Sequence, residues 1–156
     1  MKAIVCKKYG SAENLEIVEY KNPIPKDDEV LIRIYATSVT NSDIFIRSSD
    51  VPIRMLIPFR LMIGLLRPRN EILGEVFSGV IEKTGAGIKR FKAGDQVYGL
   101  TGMSLGAYAE YKCMKEIDSK KGCIAIKPRN ISFEEATAAA YGGLLAFQFL
   151  EKGNIQ

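Results

Sequence analysis

The sequence predicts a mainly β domain, an irregular barrel of short strands with a few short helices at its periphery. Three observations carry that expectation. Short runs rich in Ile, Val and Tyr recur along the chain, each is bounded by Gly, Pro, Asn or Asp, and helical signals are confined to three places. Strands this short and this regularly spaced close into a barrel or a sandwich.

In chain order, strands are expected over 2–6, 15–20 and 29–39, the last two separated by the turn residues of 21–28. In the third, Val30, Ile32, Ile34 and Ala36 share one face and Leu31, Arg33, Tyr35 and Thr37 the other, so one face belongs to the core. Asn41 is expected to cap a short helix running through Arg47, with Asp43 and Arg47 four apart and paired on one side. Pro58 is expected to open a second helix ending near Arg67, because the first turn tolerates proline. There Arg60, Gly64 and Arg67 would form one narrow polar stripe, and the remaining apolar surface predicts a lid over an apolar cleft or a contact with a partner chain. The rival reading of that basic, apolar segment is a surface-lying membrane anchor. Further strands are expected over 76–83, 96–100, 107–113 and 123–127, with glycine turns at Gly85-Ala86-Gly87 and Ala93-Gly94-Asp95. Ser132-Phe133-Glu134-Glu135 is a capping box that opens a C-terminal helix, divided in two by Gly142-Gly143 and stopped near Gly153.

Composition narrows the chemistry. In 156 residues, 22 Lys and Arg face 18 Asp and Glu, for a net charge of +4, and 47% of residues are apolar, values of a soluble globular chain. One domain over 1–156 is expected, long enough to hold a core without metals or disulfides. There is no histidine, which excludes Ser/His/Asp and Cys/His catalysis and removes the commonest zinc ligand. Cys6, Cys113 and Cys123 are odd in number and far apart, so they read as largely buried thiols in a reducing, cytoplasmic setting. The N-terminus carries no signal peptide, and the long apolar stretch over 51–66 is interrupted by Arg54, Pro58 and Arg60, which argues against a membrane span. GxGxxG and GxxxxGK[ST] are both absent, the carboxylates follow no acid/base spacing, and the basic residues are dispersed, which makes nucleic acid a poor partner.

Several segments together carry a resemblance. They are Met1-Lys2-Ala3, Val39-Thr40-Asn41-Ser42-Asp43 with Arg47, the run from Leu73-Gly74-Glu75 to Glu82, and Phe91-Lys92-Ala93-Gly94-Asp95 leading to Gly99. Gly106-Ala107-Tyr108-Ala109-Glu110-Tyr111 and Glu134-Glu135-Ala136 leading to Gly143-Leu144-Leu145-Ala146 complete it. In this order they resemble the N-terminal, GroES-like catalytic domain of the medium-chain dehydrogenase/reductase superfamily. The likeness implies a GroES-like irregular barrel, truncated before the Rossmann half that would follow Gly153-Asn154-Ile155-Gln156. It implies an oxidoreductase that moves a hydride between NADPH (or NADH) and a quinone, an activated alkene or a carbonyl compound, in a full-length protein. The domain alone is then expected to be inactive, to hold no cofactor tightly, and to take a small-molecule substrate, with a homodimer as one possible assembly.

The resemblance also assigns residues. Where the zinc branch has a cysteine and a histidine ligand, this chain has Asn41 and Glu75, so the zinc-independent, quinone oxidoreductase-like branch is expected and no metal site. Asn41 is the implied catalytic contact, an amide able to donate to a substrate oxygen; helix capping is its other role. Thr40, Asn41, Gly143 and Leu145 are the implied cofactor-side residues, with Leu145 in place of a common threonine and Val76 in place of a common acidic residue. For Gly142 and Gly143 a helix break for close packing stands beside cofactor approach, and Tyr98, Tyr108 and Tyr111 read as barrel wall or rim. Two alternatives remain from the sequence alone: a zinc-type alcohol dehydrogenase relative that has lost its metal, and a non-catalytic interaction module.

Overall fold

The computed structural model describes residues 1–153; the tail 154–156, read above as the approach to a further strand, lies outside them. Two antiparallel sheets carry the fold. β1 (Lys2–Cys6) pairs with β2 (Leu15–Glu19), and five strands run in the order β6-β3-β4-β5-β7: β3 is Glu29–Thr37, β4 Val76–Thr84, β5 Gln96–Leu100, β6 Tyr111–Lys115 and β7 Cys123–Ile126. The larger sheet curls until its edge strands β6 and β7 meet, a half-closed barrel. Its interior holds Val30 and Ile32 of β3, Phe77 and Ile81 of β4, Val97, Met114 and Ile124, all at most 4% exposed, as the period-two reading of β3 requires. Among the described residues no helix is long and apolar enough to cross a membrane.

Glycine is required at Gly79. β3 bulges between Ile34 and Ala36 as it passes β4, and a Cβ on Gly79 would lie 2.1 Å from the Arg33 carbonyl oxygen. Four helices lie outside the sheets: α1 (Asn41–Ser48), α2 (Ile53–Ile63), α3 (Phe133–Ala138) and α4 (Leu144–Lys152). α3 begins on the expected capping box, Ser132 with Glu135, and is tied to the barrel where Ser78 Oγ donates to the Phe133 carbonyl at 2.7 Å. Tyr35 stacks on the Phe133 ring at 4.8 Å. α4 stops at Gly153, as read.

Four expectations are corrected. The strand read over 107–113 runs from Tyr111 to Lys115, because Gly106 has φ +97° and the Ala107 and Tyr108 amides bond back to Gly74 and Leu73 instead of joining the ladder. α2 starts at Ile53, after Pro52, and holds Pro58 in its interior. It ends at Gly64, whose φ of +131° no side chain tolerates easily, so Arg60, Gly64 and Arg67 do not form one helical stripe. Gly142-Gly143 does not divide the C-terminal helix; a π-turn over Ala139–Gly143 absorbs one extra residue and carries α3 into α4.

Candidate functional site

α1 is held at its N-terminus by a reciprocal cap. The Thr40 amide donates to Asp43 Oδ2 at 2.9 Å, and the Asp43 amide donates to Thr40 Oγ1 at 3.3 Å. Thr40 is therefore the cap, and Asn41 is the first residue inside the helix. Asp43, 3% exposed, does not pair with Arg47: it is consumed locally by the cap, and Arg47 donates to the Gly10 carbonyl. Asp43 also accepts from Thr40 Oγ1 at 2.8 Å and from the Gly74 amide at 3.1 Å. One buried carboxylate thus joins the start of α1 to the turn before β4.

That turn delivers Glu75. Its carbonyl accepts from the Thr101 amide at 2.7 Å, and the Thr101 hydroxyl donates to the Gly74 carbonyl at 3.0 Å, so the backbone is fixed from the end of β5. The Glu75 side chain is half-buried, with Oε2 3.4 Å from Thr40 Oγ1. Burial, and then the neighbouring Asp43 carboxylate, push the Glu75 carboxyl above its ordinary value of 4.5, while the Ser42 and Thr40 hydroxyls oppose the shift. A raised carboxyl binds its proton more tightly in the folded chain than in the unfolded one. Glu75 therefore favours folding below the ordinary carboxylate range and withdraws that contribution as pH rises through its raised value. Tyr108 completes the group: burial and the Asp43 carboxylate push its hydroxyl up, and among the described residues that buried hydroxyl has no hydrogen-bond partner.

Glu75 opens onto a cleft of about 660 Å³. Its walls are mainly apolar, with Phe45 of α1, Met55, Phe59 and Met62 of α2, and Leu105; its polar side chains are Ser42, Arg69, Asn70 and Glu75. This is the size and balance of a small-molecule site. α2 closes one side with its inner face while Ile53, Ile57 and Leu61 on the other are 85%, 69% and 58% exposed, so the segment lies over an apolar cleft, as its greasy surface predicted. Its end is pinned: Tyr9 donates to the Gly64 carbonyl at 2.7 Å, and the Arg60 guanidinium lies 4.4 Å from the Tyr9 ring centre and donates to Ser49 Oγ.

A second contact brings distant residues together. Ser42 Oγ and the Tyr141 hydroxyl are 3.1 Å apart, joining the first turn of α1 to the π-turn 99 residues later. Of the residues assigned by resemblance, Asn41 and Gly143 lie on the two elements so joined. Thr40 is 8% exposed with its hydroxyl engaged by Asp43, and Leu145 is 41% exposed on α4. Beside the π-turn a depression of about 310 Å³ is lined by Tyr98, Ile124, Ala139 and Gly143. A Cβ on Gly142 would meet nothing within 4 Å, and one on Gly143 only Ala139 Cβ at 3.8 Å. Packing within the described residues does not demand glycine there; the bare backbone leaves room for a group from outside. Gly143→Ala is accordingly expected to leave stability unchanged or raise it by up to ~1 kcal/mol, since alanine is the better helix former. Thermal melts check it.

The donor set does not fit zinc. Asn41 is neutral and exposed, Glu75 is the one carboxylate among the residues that line the cleft, and among the described residues no three Cys, Asp or Glu side chains converge. Two thiols are subdued: Cys6 is buried, and burial pushes Cys113 up to about 11.

The alcohol dehydrogenase GroES-like domain family matches residues 26–127. The chain belongs to this family. Quinone oxidoreductase 1 of Escherichia coli is 33% identical to the GroES-like chain over 145 residues, 93% of this chain and 38% of the relative. The quinone oxidoreductase of Coxiella burnetii superposes with a TM-score of 0.82 at 26% identity, covering all of this chain and 46% of that one. An Escherichia coli quinone oxidoreductase in complex with NADPH superposes with a TM-score of 0.77 at 29% identity, over 98% of this chain and 41% of that one. The GroES-like chain thus spans well under half the length of these relatives.

Proposed function

We propose that this chain is the substrate-side domain of a zinc-independent, NAD(P)H-dependent oxidoreductase that reduces quinones, activated alkenes or carbonyl compounds. The observation that carries the reading is the apolar cleft of about 660 Å³ whose wall holds Glu75 and Ser42, the latter next in sequence to Asn41, the residue that resemblance sets in place of a metal ligand of the zinc branch. The similarity to quinone oxidoreductases, one of them an NADPH complex, supports the same chemistry. When bound, the reduced nicotinamide supplies a hydride. Asn41 and Gly143, on the elements joined by Ser42 and Tyr141, are the residues proposed to face it. Leu145 offers it an apolar contact, and Thr40 acts through the cap that sets Asn41.

Each of the chain's own groups has a task in this reading. Phe45, Phe59 and Met62 take the substrate ring out of water, and α2 keeps water from the cleft while hydride moves. The Asn41 amide, exposed at the first turn of α1, donates to the oxygen on which charge develops. Leu144, Phe147 and Phe149, 43%, 62% and 73% exposed on α4, offer an apolar seat for a cofactor domain in the whole protein. The test is NADPH oxidation by the product of the whole reading frame that contains these residues, with quinones, enones and aldehydes as acceptors. Quinone-dependent oxidation that falls at least tenfold in Phe59→Ala is expected; no oxidation with any acceptor class overturns the proposal.

A further inference from the structure

Proton counting around Thr40 singles out Glu75. The Thr40 hydroxyl has one proton and two lone pairs. Its proton is directed to Asp43 Oδ2 at 2.8 Å, and it accepts from the Asp43 amide at 3.3 Å. The same hydroxyl also reaches Glu75 Oε2 at 3.4 Å, so one hydroxyl proton lies between two carboxyl groups, and a proton on Glu75 relieves the repulsion between them. At 3.4 Å the Thr40 hydroxyl engages Glu75 only weakly, and a protonated Glu75 keeps its own O–H for an acceptor in the cleft. The walls of that cleft offer it little competition, being Phe45, Met55, Phe59, Met62 and Leu105.

We infer that the cleft binds an apolar carbonyl compound oxygen-first, and that Glu75 recognises the oxygen as a neutral carboxylic acid donating a hydrogen bond. This deepens the reading above, on which it rests, by naming the specificity residue and the feature it selects: a carbonyl oxygen on an otherwise hydrocarbon body. The site excludes the opposite choice. An ionised Glu75 would select an amine, but it would then stand beside buried Asp43, with Arg69 also on the cleft wall. The charged and titratable groups that face Glu75 are Asp43 of α1, Tyr108 of the connection before β6, and Arg69 across the cleft. Burial and then the Asp43 carboxylate favour the protonated acid, against the Ser42 and Thr40 hydroxyls. The balance of protons is simple: the acid's O–H gains the ligand oxygen as its acceptor, and no covalent bond forms or breaks.

Duroquinone is the probe, because its ring carbons are all substituted and the cysteine thiols cannot add to it; durene, with the same methyl pattern and no oxygen, is the control. Calorimetry with the purified protein is expected to give duroquinone binding that is constant at low pH and weakens by up to about tenfold per pH unit once Glu75 ionises. Durene binding is expected to be independent of pH. Glu75→Gln, an amide donor that does not titrate, keeps duroquinone binding and abolishes its pH dependence, while Glu75→Ala weakens it about tenfold at low pH, the loss of one hydrogen bond, and leaves durene unaffected. Circular dichroism establishes that the variants are folded, and the glutamine variant carries the test if the alanine variant is not. Duroquinone binding that does not change with pH, that strengthens as pH rises, or that is equal in Glu75→Ala overturns the inference while leaving the proposed function standing. Binding of neither probe at any pH overturns the substrate-side reading of the cleft itself.

Discussion

Asp43→Ala is expected to destabilise the protein by about 3 kcal/mol or more, because it strands several buried donors at once. Three groups lose their acceptor: the Thr40 amide, the Thr40 hydroxyl and the Gly74 amide. Two lie on α1's cap and one on the turn before β4, so the substitution both frays the helix and releases the segment that carries Glu75. Asp43→Asn, with one acceptor oxygen left, is expected to recover part of the loss. Urea unfolding followed by circular dichroism gives the cost, and a value under about 1 kcal/mol would mean that water takes over these donors. A second consequence has a definite sign. Asp43 is a charge neighbour that raises the Glu75 carboxyl, so its removal lowers the Glu75 value. The pH at which quinone binding fades is therefore expected to move down in Asp43→Ala, provided the variant remains folded at low temperature.

The strands were legible because a half-buried strand writes its burial into every second residue, and β3 does so from Ile32 to Thr37. The Ser132 capping box was legible for a similar reason, being a local contact between residues three apart. Thr40 and Asp43 form the same pattern, yet Asn41 drew the cap assignment because asparagine ranks among the best caps. A search for Ser or Thr three residues before an acidic residue would have found it. Pro58 misled in another way. Proline is costly inside a helix, but here it is only the sixth residue, where the Arg54 carbonyl it leaves without a partner is still in the first turns.

The site was less legible than the fold. Asn41 stands out because it occupies a position that resemblance marks, whereas resemblance reads Glu75 only as a residue in place of a metal ligand. A signal was present: a single carboxylate in the run Ile72-Leu73-Gly74-Glu75-Val76-Phe77, where both neighbouring segments go into the core, is a charge with nowhere to be hydrated. The Ser42 to Tyr141 contact had no such signal. It spans 99 residues and depends on how the π-turn rotates Tyr141, which no local pattern encodes.

On the proposed role of Asn41, Asn41→Ala lowers NADPH oxidation by the full-length protein about 100-fold, the loss of one preorganised donor to a developing oxyanion, with stability changed by less than ~0.5 kcal/mol. The structure makes that separation clean. Thr40 supplies the cap, and among the described residues the Asn41 amide makes no side-chain hydrogen bond, so its truncation removes nothing from the fold. A donor that strengthens only as charge develops acts on kcat more than on substrate affinity, so KM for the quinone and for NADPH should move little. Asn41→Asp is the stricter variant: nearly the same in shape, it presents acceptors where donors are needed and adds a negative charge two residues before Asp43, and it is expected to be at least as inactive as alanine. Glu75→Gln should differ from both, retaining a donor in the cleft while flattening the pH profile. Steady-state kinetics across pH on the three variants, beside their melting curves, separates the roles. Full turnover in a stable Asn41→Ala would leave Glu75 as the donor to the substrate oxygen and reduce Asn41 to an exposed first-turn residue of α1.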